Sequence, residues 1–324
     1  MMELRKVQEI GGALLISLPK QWAEGSRIRK GSILALELRG DGTLMIRPFK
    51  GEEERPKELK VPYPTPSQLH LQNTITAAYL LGFDTIRITG EARISFEDRE
   101  ALKRACRQLI GLEIVEEDAR SVTLQFLLQT ESLSLESLFR RMHLLTEGMC
   151  RDALNSIVEG DEHLARVVVE RDEEVDRIYF LIVRLIRSAM ITPLLPSKLK
   201  LSLVDLLDYR VASHLLERIG DASVGIVEMR GDGLKLEGEE RRILGEAGKN
   251  LEEMQSLAVE AFLSKSRESI EELQRREDEL FRNLNHMTMN ARSRLPALAE
   301  LVKEIARHII DIADLATPLT YSPS

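Results

Sequence analysis

From about residue 131 onward the chain reads as helix throughout and repeats itself, which constrains the fold more than any other feature. Asp172-Glu-Glu-Val-Asp176-Arg177 aligns on Glu277-Asp-Glu-Leu-Phe281-Arg282 without a gap, back through the preceding helix from Ser156 on Ala261. Glu217-Arg-Ile-Gly-Asp221 then pairs with Arg307-His-Ile-Ile-Asp311. Each copy reads as three helices, so the expected body is two tandem three-helix bundles, 131–232 and 233–324. The low aromatic content of 4%, with abundant Leu, Glu, Arg and Ala, favours helix over sheet for most of the length.

The first copy carries two acid pairs at i and i+4, Asp172 with Asp176 and Glu217 with Asp221. That spacing puts two carboxylates on one helix face, one turn or ~6 Å apart. A single such pair is commonly a solvated face. On antiparallel helices, however, two pairs meet across one seam, a recurring way for bundles to hold hard or borderline cations. Gly220 lies between Glu217 and Asp221, and a helical glycine costs roughly 1 kcal/mol relative to alanine, so something is expected to approach closely there. His214, three residues before Glu217 on the same face, is a candidate nitrogen ligand. Glu173 and Glu228 are weaker outer candidates, and His70, His143, His163 and His286 have no evident partner.

The repeat is chemically lopsided. In the second copy the four acid positions are Glu277, Phe281, Arg307 and Asp311. Two acids are lost and one has reversed charge, so Arg307 is expected beside Glu277 and Asp311 in place of a cation. One metal site is expected, in the first bundle; Asp314 and His308 are candidates to rescue a weak second one.

The head differs in character. Residues 5–10, 13–18, 33–38 and 43–47 read as short strands, with Gly11-Gly12 and Gly40-Asp41-Gly42 as turns and a helical turn from Pro19 through Ala23. So short a β piece buries little core, which predicts a dimer. Residues 1–50 hold nine basic against five acidic groups, a surplus of four in a chain of net charge −8, so the remainder carries −12. A basic head on an acidic body suits an anionic partner. Residues 51–66, dense in Glu, Lys and Pro, read as a linker. A small α/β piece follows at 67–130: helix 67–81, strand 85–89, helix 96–110, then strands near 113–116 and 122–128.

Two resemblances give these features meaning. Asp172 to Asp176, the Pro193 to Pro196 turn and Leu216-Glu-Arg-Ile-Gly-Asp221 resemble the signature of the PhoU family of phosphate-uptake regulators, over roughly residues 131–320. That resemblance implies a metal cluster on Asp172, Asp176, Glu217 and Asp221. The ion would be divalent or trivalent: iron, zinc, manganese, nickel or magnesium. It also implies control of phosphate uptake through transcription, through phosphate ABC transporter subunits, or through a sensor kinase at the membrane. Leu18-Pro19-Lys20, Ile28 and Gly31-Ser32 resemble the AbrB/MazE family of swapped-hairpin domains. That second resemblance implies a dimeric β-barrel head presenting Arg5, Lys6, Lys20, Arg27 and Arg29 to double-stranded DNA.

Other classes fit less well. Cys106 and Cys150 lack metal-type spacing and read as buried thiols. No secretory signal is visible, and the longest apolar run, Ile178 to Val183, stops at Arg184, so a soluble cytoplasmic homodimer is expected. No Gly-rich nucleotide loop, catalytic triad or kinase motif is present, and the chemistry on display is binding rather than catalysis. The alternative from another class is a helical-bundle enzyme using carboxylate-bound iron or manganese, against which stands the missing Glu-x-x-His motif. A further alternative keeps the regulator but lets it act only by protein contacts, with the head a dimerisation module.

Overall fold

The computed structural model describes residues 4–38, 42–49, 57–191, 199, 201–229, 236–289 and 294–316. The chain divides into two compact units, Met1–Arg55 and Pro56–Ser324.

In the first unit, β1 (Gln8–Ile10) and β2 (Ala13–Leu15) pair antiparallel, with Gln8 opposite Leu15. Gly11 and Gly12 both take positive φ, 60° and 82°, as a two-residue turn matched to strand twist requires. Helix α1 (Lys20–Gly25) follows, then β3 (Leu34–Leu38) paired antiparallel with β4 (Leu44–Pro48). The Gly40-Asp41 part of the expected second turn lies outside the described residues, as does the Pro193 to Pro196 turn. None of the described side chains in this unit is buried, and Ile10, Leu14 and Leu36 are 62%, 75% and 64% exposed. Two hairpins with their apolar faces in water lack the core that would hold them.

The second unit begins with a four-stranded mixed sheet: β5 (Glu58–Tyr63), β6 (Thr85–Gly90), β7 (Leu112–Glu117) and β8 (Ser121–Phe126), in the order β5-β6-β8-β7. Strand β5 corrects the sequence reading, which assigned these residues to a linker. It runs parallel to β6 at the sheet edge, where Pro62 costs no ladder bond, and Leu59 and Val61 alternate inward between exposed Lys60 and Pro62. Helices α2 (Gln68–Leu80) and α3 (Phe96–Gln108) start at Ser67 and Ser95, whose side chains cap the helices by accepting from the His70 and Asp98 amides.

Among the described residues, six long helices complete the unit: α4 (Leu135–Glu159), α5 (Glu162–Ile191), α6 (Leu203–Glu228), α7 (Gly238–Ser264), α8 (Ile270–Thr288) and α9 (Leu295–Asp314). Helices α4, α5 and α6 pack on one another, as do α7, α8 and α9, and one continuous apolar core runs through all six, from Phe139 and Met149 through Leu216 to Leu251, Val302 and Ile309. Contacts α4 to α7 and α6 to α9 join the halves.

The apolar run on α5 now has a physical reason. Ile178, Ile182 and Ile186 enter the bundle core, while Leu181 and Leu185 enter the core of the sheet and its helices. A helix buried on both sides loses its polar face. Arg184 lies among them almost wholly buried: Nη1 donates to the Tyr79 and Phe83 carbonyls at 2.8 and 2.9 Å, and Nη2 to Asp84 Oδ1 at 3.2 Å. Its guanidinium carbon lies 3.8 Å from the Phe126 ring centroid. The guanidinium adds a second donor to the Tyr79 carbonyl, which also accepts from the Gly82 amide, and supplies one to the Phe83 carbonyl just beyond α2, and so fastens the α/β portion to α5.

Candidate functional site

Asp172 and Asp176 lie on α5 and Glu217 and Asp221 on α6, packed side by side in the first half. Gly220 makes the approach possible: a Cβ built there would lie 3.0 Å from Asp172 Oδ1 and 3.5 Å from Met149 Cε. All four acids are partly buried and share one electrostatic field. Burial first, then repulsion by Asp176, Asp221 and Glu217, pushes Asp172 up to about 6. Burial, then Glu217 and Asp221, does the same to Asp176, also to about 6. Burial and Asp221 raise Glu217, against the opposing pull of His214. Negative charge is thus concentrated in one seam.

The side chains are not gathered around a point. Among the described residues, no three His, Cys, Asp or Glu groups sit as a ready metal-ligand set. Glu217 Oε2 is 3.0 Å from His214 Nδ1, and Asp221 Oδ2 accepts from Arg218 at 3.1 Å. His214 itself is half exposed and stacks on Tyr179. By donor chemistry the set fits a hard or borderline cation, with carboxylate oxygens on two helices and one imidazole. Glu173 is exposed and adds to the repulsion on both aspartates, whereas Glu228 is exposed at the far end of α6, about 10 Å beyond Asp221 along the helix. Arg218, passed over in the sequence, spans from Asp221 to Glu304 of α9 at 3.0 Å and ties the seam to the second half.

The degenerate half is arranged differently from the sequence expectation. Arg307 lies over the Phe281 ring, 5.3 Å from its centroid, and its ion pair is with Glu300 at 3.7 Å rather than with Glu277 or Asp311. A ring attracts a guanidinium through its quadrupole, so the two replaced positions satisfy each other. Burial and then Asp278 raise Glu277, with Arg307 acting against them. His308 lies 3.5 Å from Glu304 and 3.9 Å from Asp311. His143, without a partner in the sequence, is within 3.2 Å of Gln255 across the α4–α7 contact.

In the first unit Arg5, Lys6, Lys20, Arg27 and Arg29 are all exposed. Lys20 opens α1, Arg27 takes a left-handed φ of 54° just after it, and Arg29 is held by a backbone bond to Ser32 Oγ. Arg5 and Lys6 precede β1.

The chain thus combines a helical half that carries an acid seam with a β unit that has no buried core among its described residues. Comparison with known families gives the parts: residues 139–229 match the PhoU domain, and residues 7–54 match the bacterial antitoxin MazE, the antidote-toxin recognition domain. The chain therefore carries a PhoU domain, on α4 to α6, behind an N-terminal domain of MazE/AbrB type. The PhoU match is shorter than the span expected from the motifs and stops at Met229, before the degenerate half. Neither matched family describes an enzyme. The crystal structure of PhoU from Pseudomonas aeruginosa is similar at 20% identity and a TM-score of 0.46, over 56% of this chain and 93% of that one. No curated protein matches. No helix among the described residues is long and apolar enough to cross a membrane.

Proposed function

We propose that the protein regulates phosphate uptake, coupling a metal-binding helical body to a dimeric head that binds double-stranded DNA. The observation that carries this reading is the pairing of a carboxylate seam inside a PhoU domain with a basic, coreless MazE-type unit on the same chain. A second copy of the chain supplies the apolar surface that Ile10, Leu14 and Leu36 lack, and doubles the basic groups presented to a duplex. Asp172, Asp176, Glu217, Asp221 and His214 hold a divalent or trivalent ion, which neutralises the repulsion of the seam. The regulated target is the promoter of a phosphate transporter, with its subunits or a sensor kinase as further partners.

The test is fluorescence anisotropy of the full chain on promoter fragments across a salt series. Each neutralised phosphate adds roughly −0.9 to the log–log slope, so Lys20→Ala with Arg27→Ala should weaken binding and flatten the slope by about 2 to 4 per dimer. An intact dimer without affinity for any promoter fragment at low salt overturns the DNA reading and leaves regulation to protein contacts.

A further inference from the structure

A cleft of about 1030 Å³ separates α3 and the end of α2 from α5. Its α3 wall carries Lys103, Arg104 and Arg107, which fall within one face of the helix, and Arg177 faces it from α5. Lys103 pairs with Glu100 at 2.9 Å. Arg104, Arg107 and Arg177 form no ion pair or hydrogen bond among the described residues. Glu113, Glu173 and Asp176 also line the cleft without closing on them. Unpaired guanidinium forks beside available carboxylates mark a space kept open for another anion.

The arrangement of charge narrows the anion. Three guanidiniums without an ion pair call for more than one negative charge, and arginine forks match phosphate oxygens two at a time. The α5 wall would repel a bare polyanion, but magnesium takes one or two protein carboxylates together with ligand phosphates and completes its shell with water. The volume lies at the upper end for small-ligand sites, large enough for a nucleoside triphosphate. We propose that this cleft binds the magnesium complex of a polyphosphorylated small molecule, its phosphate chain on Lys103, Arg104, Arg107 and Arg177 and its cation toward Glu173 and Asp176. The shared chemistry is a chain of two or more phosphates, whether of a nucleotide or of inorganic polyphosphate. Because α5 carries both this wall and half of the acid seam, the ligand would report on the same helix as the metal.

The basic wall uses none of the DNA-facing groups or proposed metal ligands, and the acidic wall shares only Asp176 with the seam, so phosphate binding lost in the Arg104→Glu, Arg107→Glu chain with metal content unchanged separates this inference from the proposed function. Titration calorimetry of the full chain in excess magnesium, with ATP, tripolyphosphate and citrate in turn, provides the test. ATP and tripolyphosphate should bind saturably, one per chain, and citrate far more weakly. Tighter binding of ATP assigns the nucleotide, and equal affinity assigns the phosphate chain. Arg104→Glu with Arg107→Glu, both exposed, should weaken binding about tenfold or more, as lost charge-assisted contacts do. Arg177→Gln on the opposite wall should also weaken it. No saturable binding of either phosphate ligand, citrate binding equally well, or undiminished affinity in the Arg104→Glu, Arg107→Glu chain each overturn the proposal.

Discussion

Gly220 brings the backbone of α6 against the carboxylate of Asp172, with room for a Cβ only 3.0 Å from Oδ1. Gly220→Ala gains helix propensity of about 1 kcal/mol and loses by displacing that carboxylate, so the melting temperature should move little. Metal affinity should instead fall roughly tenfold, as it does when the orientation of a ligand is disturbed. Calorimetric titration of the variant with manganese or zinc checks this. Unchanged affinity would show that Asp172 is not a ligand.

The contact of Arg307 with Phe281 makes the second half self-sufficient. Asp311→Ala should leave metal content nearly unchanged, whereas Glu217→Ala with Asp221→Ala should remove most of it. Elemental analysis of purified chains gives the comparison, and equal losses from the two halves would mean that the degenerate seam still binds.

Acids raised above the ordinary carboxylate range lower stability where they must ionise. Asp172 and Asp176, both near 6 in the folded chain, bind protons there that the unfolded chain, with aspartates near ~3.9, has already released. With metal chelated, their contribution to stability should therefore improve as pH falls from 7 through 6 and be complete below about 4. Asp172→Asn with Asp176→Asn should melt higher than the wild-type chain at pH 7 in EDTA, and the gap should narrow toward pH 5. A gap that stays constant with pH would refute the shared-charge account.

Removing Arg184 leaves the half-buried Phe83 carbonyl without a donor and the Tyr79 carbonyl with only the Gly82 amide at 3.0 Å. Arg184→Met should cost about 1–3 kcal/mol in urea denaturation, from the one carbonyl left without a donor. Lysine should not restore it, since one ammonium cannot span both carbonyls and Asp84 as the fork does. A loss below 1 kcal/mol would mean that water replaces the guanidinium.

Much of this protein was legible in its sequence because the signals are local. Helical periodicity, serine caps, paired glycines in a hairpin turn and the i, i+4 acids each depend on residues within a few positions of one another, and the helices and hairpins fall where those patterns put them. The lopsided repeat was legible too, because loss of an acid is a property of one position. Only the tertiary structure could decide which partner each residue meets. Strand β5 hides in a charged, proline-bearing segment because an edge strand needs just one apolar face, and its identity depends on β6, more than twenty residues away. Arg184 reads as the end of an apolar run and is instead the fastening between two cores, a role set by carbonyls a hundred residues earlier in the chain. Arg307 turns to Phe281 rather than to acids, and Arg218 holds Asp221, because side-chain geometry chooses among neighbours that spacing alone leaves equivalent. The basic wall facing α5 has the same origin: Arg104, Arg107 and Arg177 come together only when two helices seventy residues apart are folded against one another, and charge at that separation leaves no pattern in the sequence.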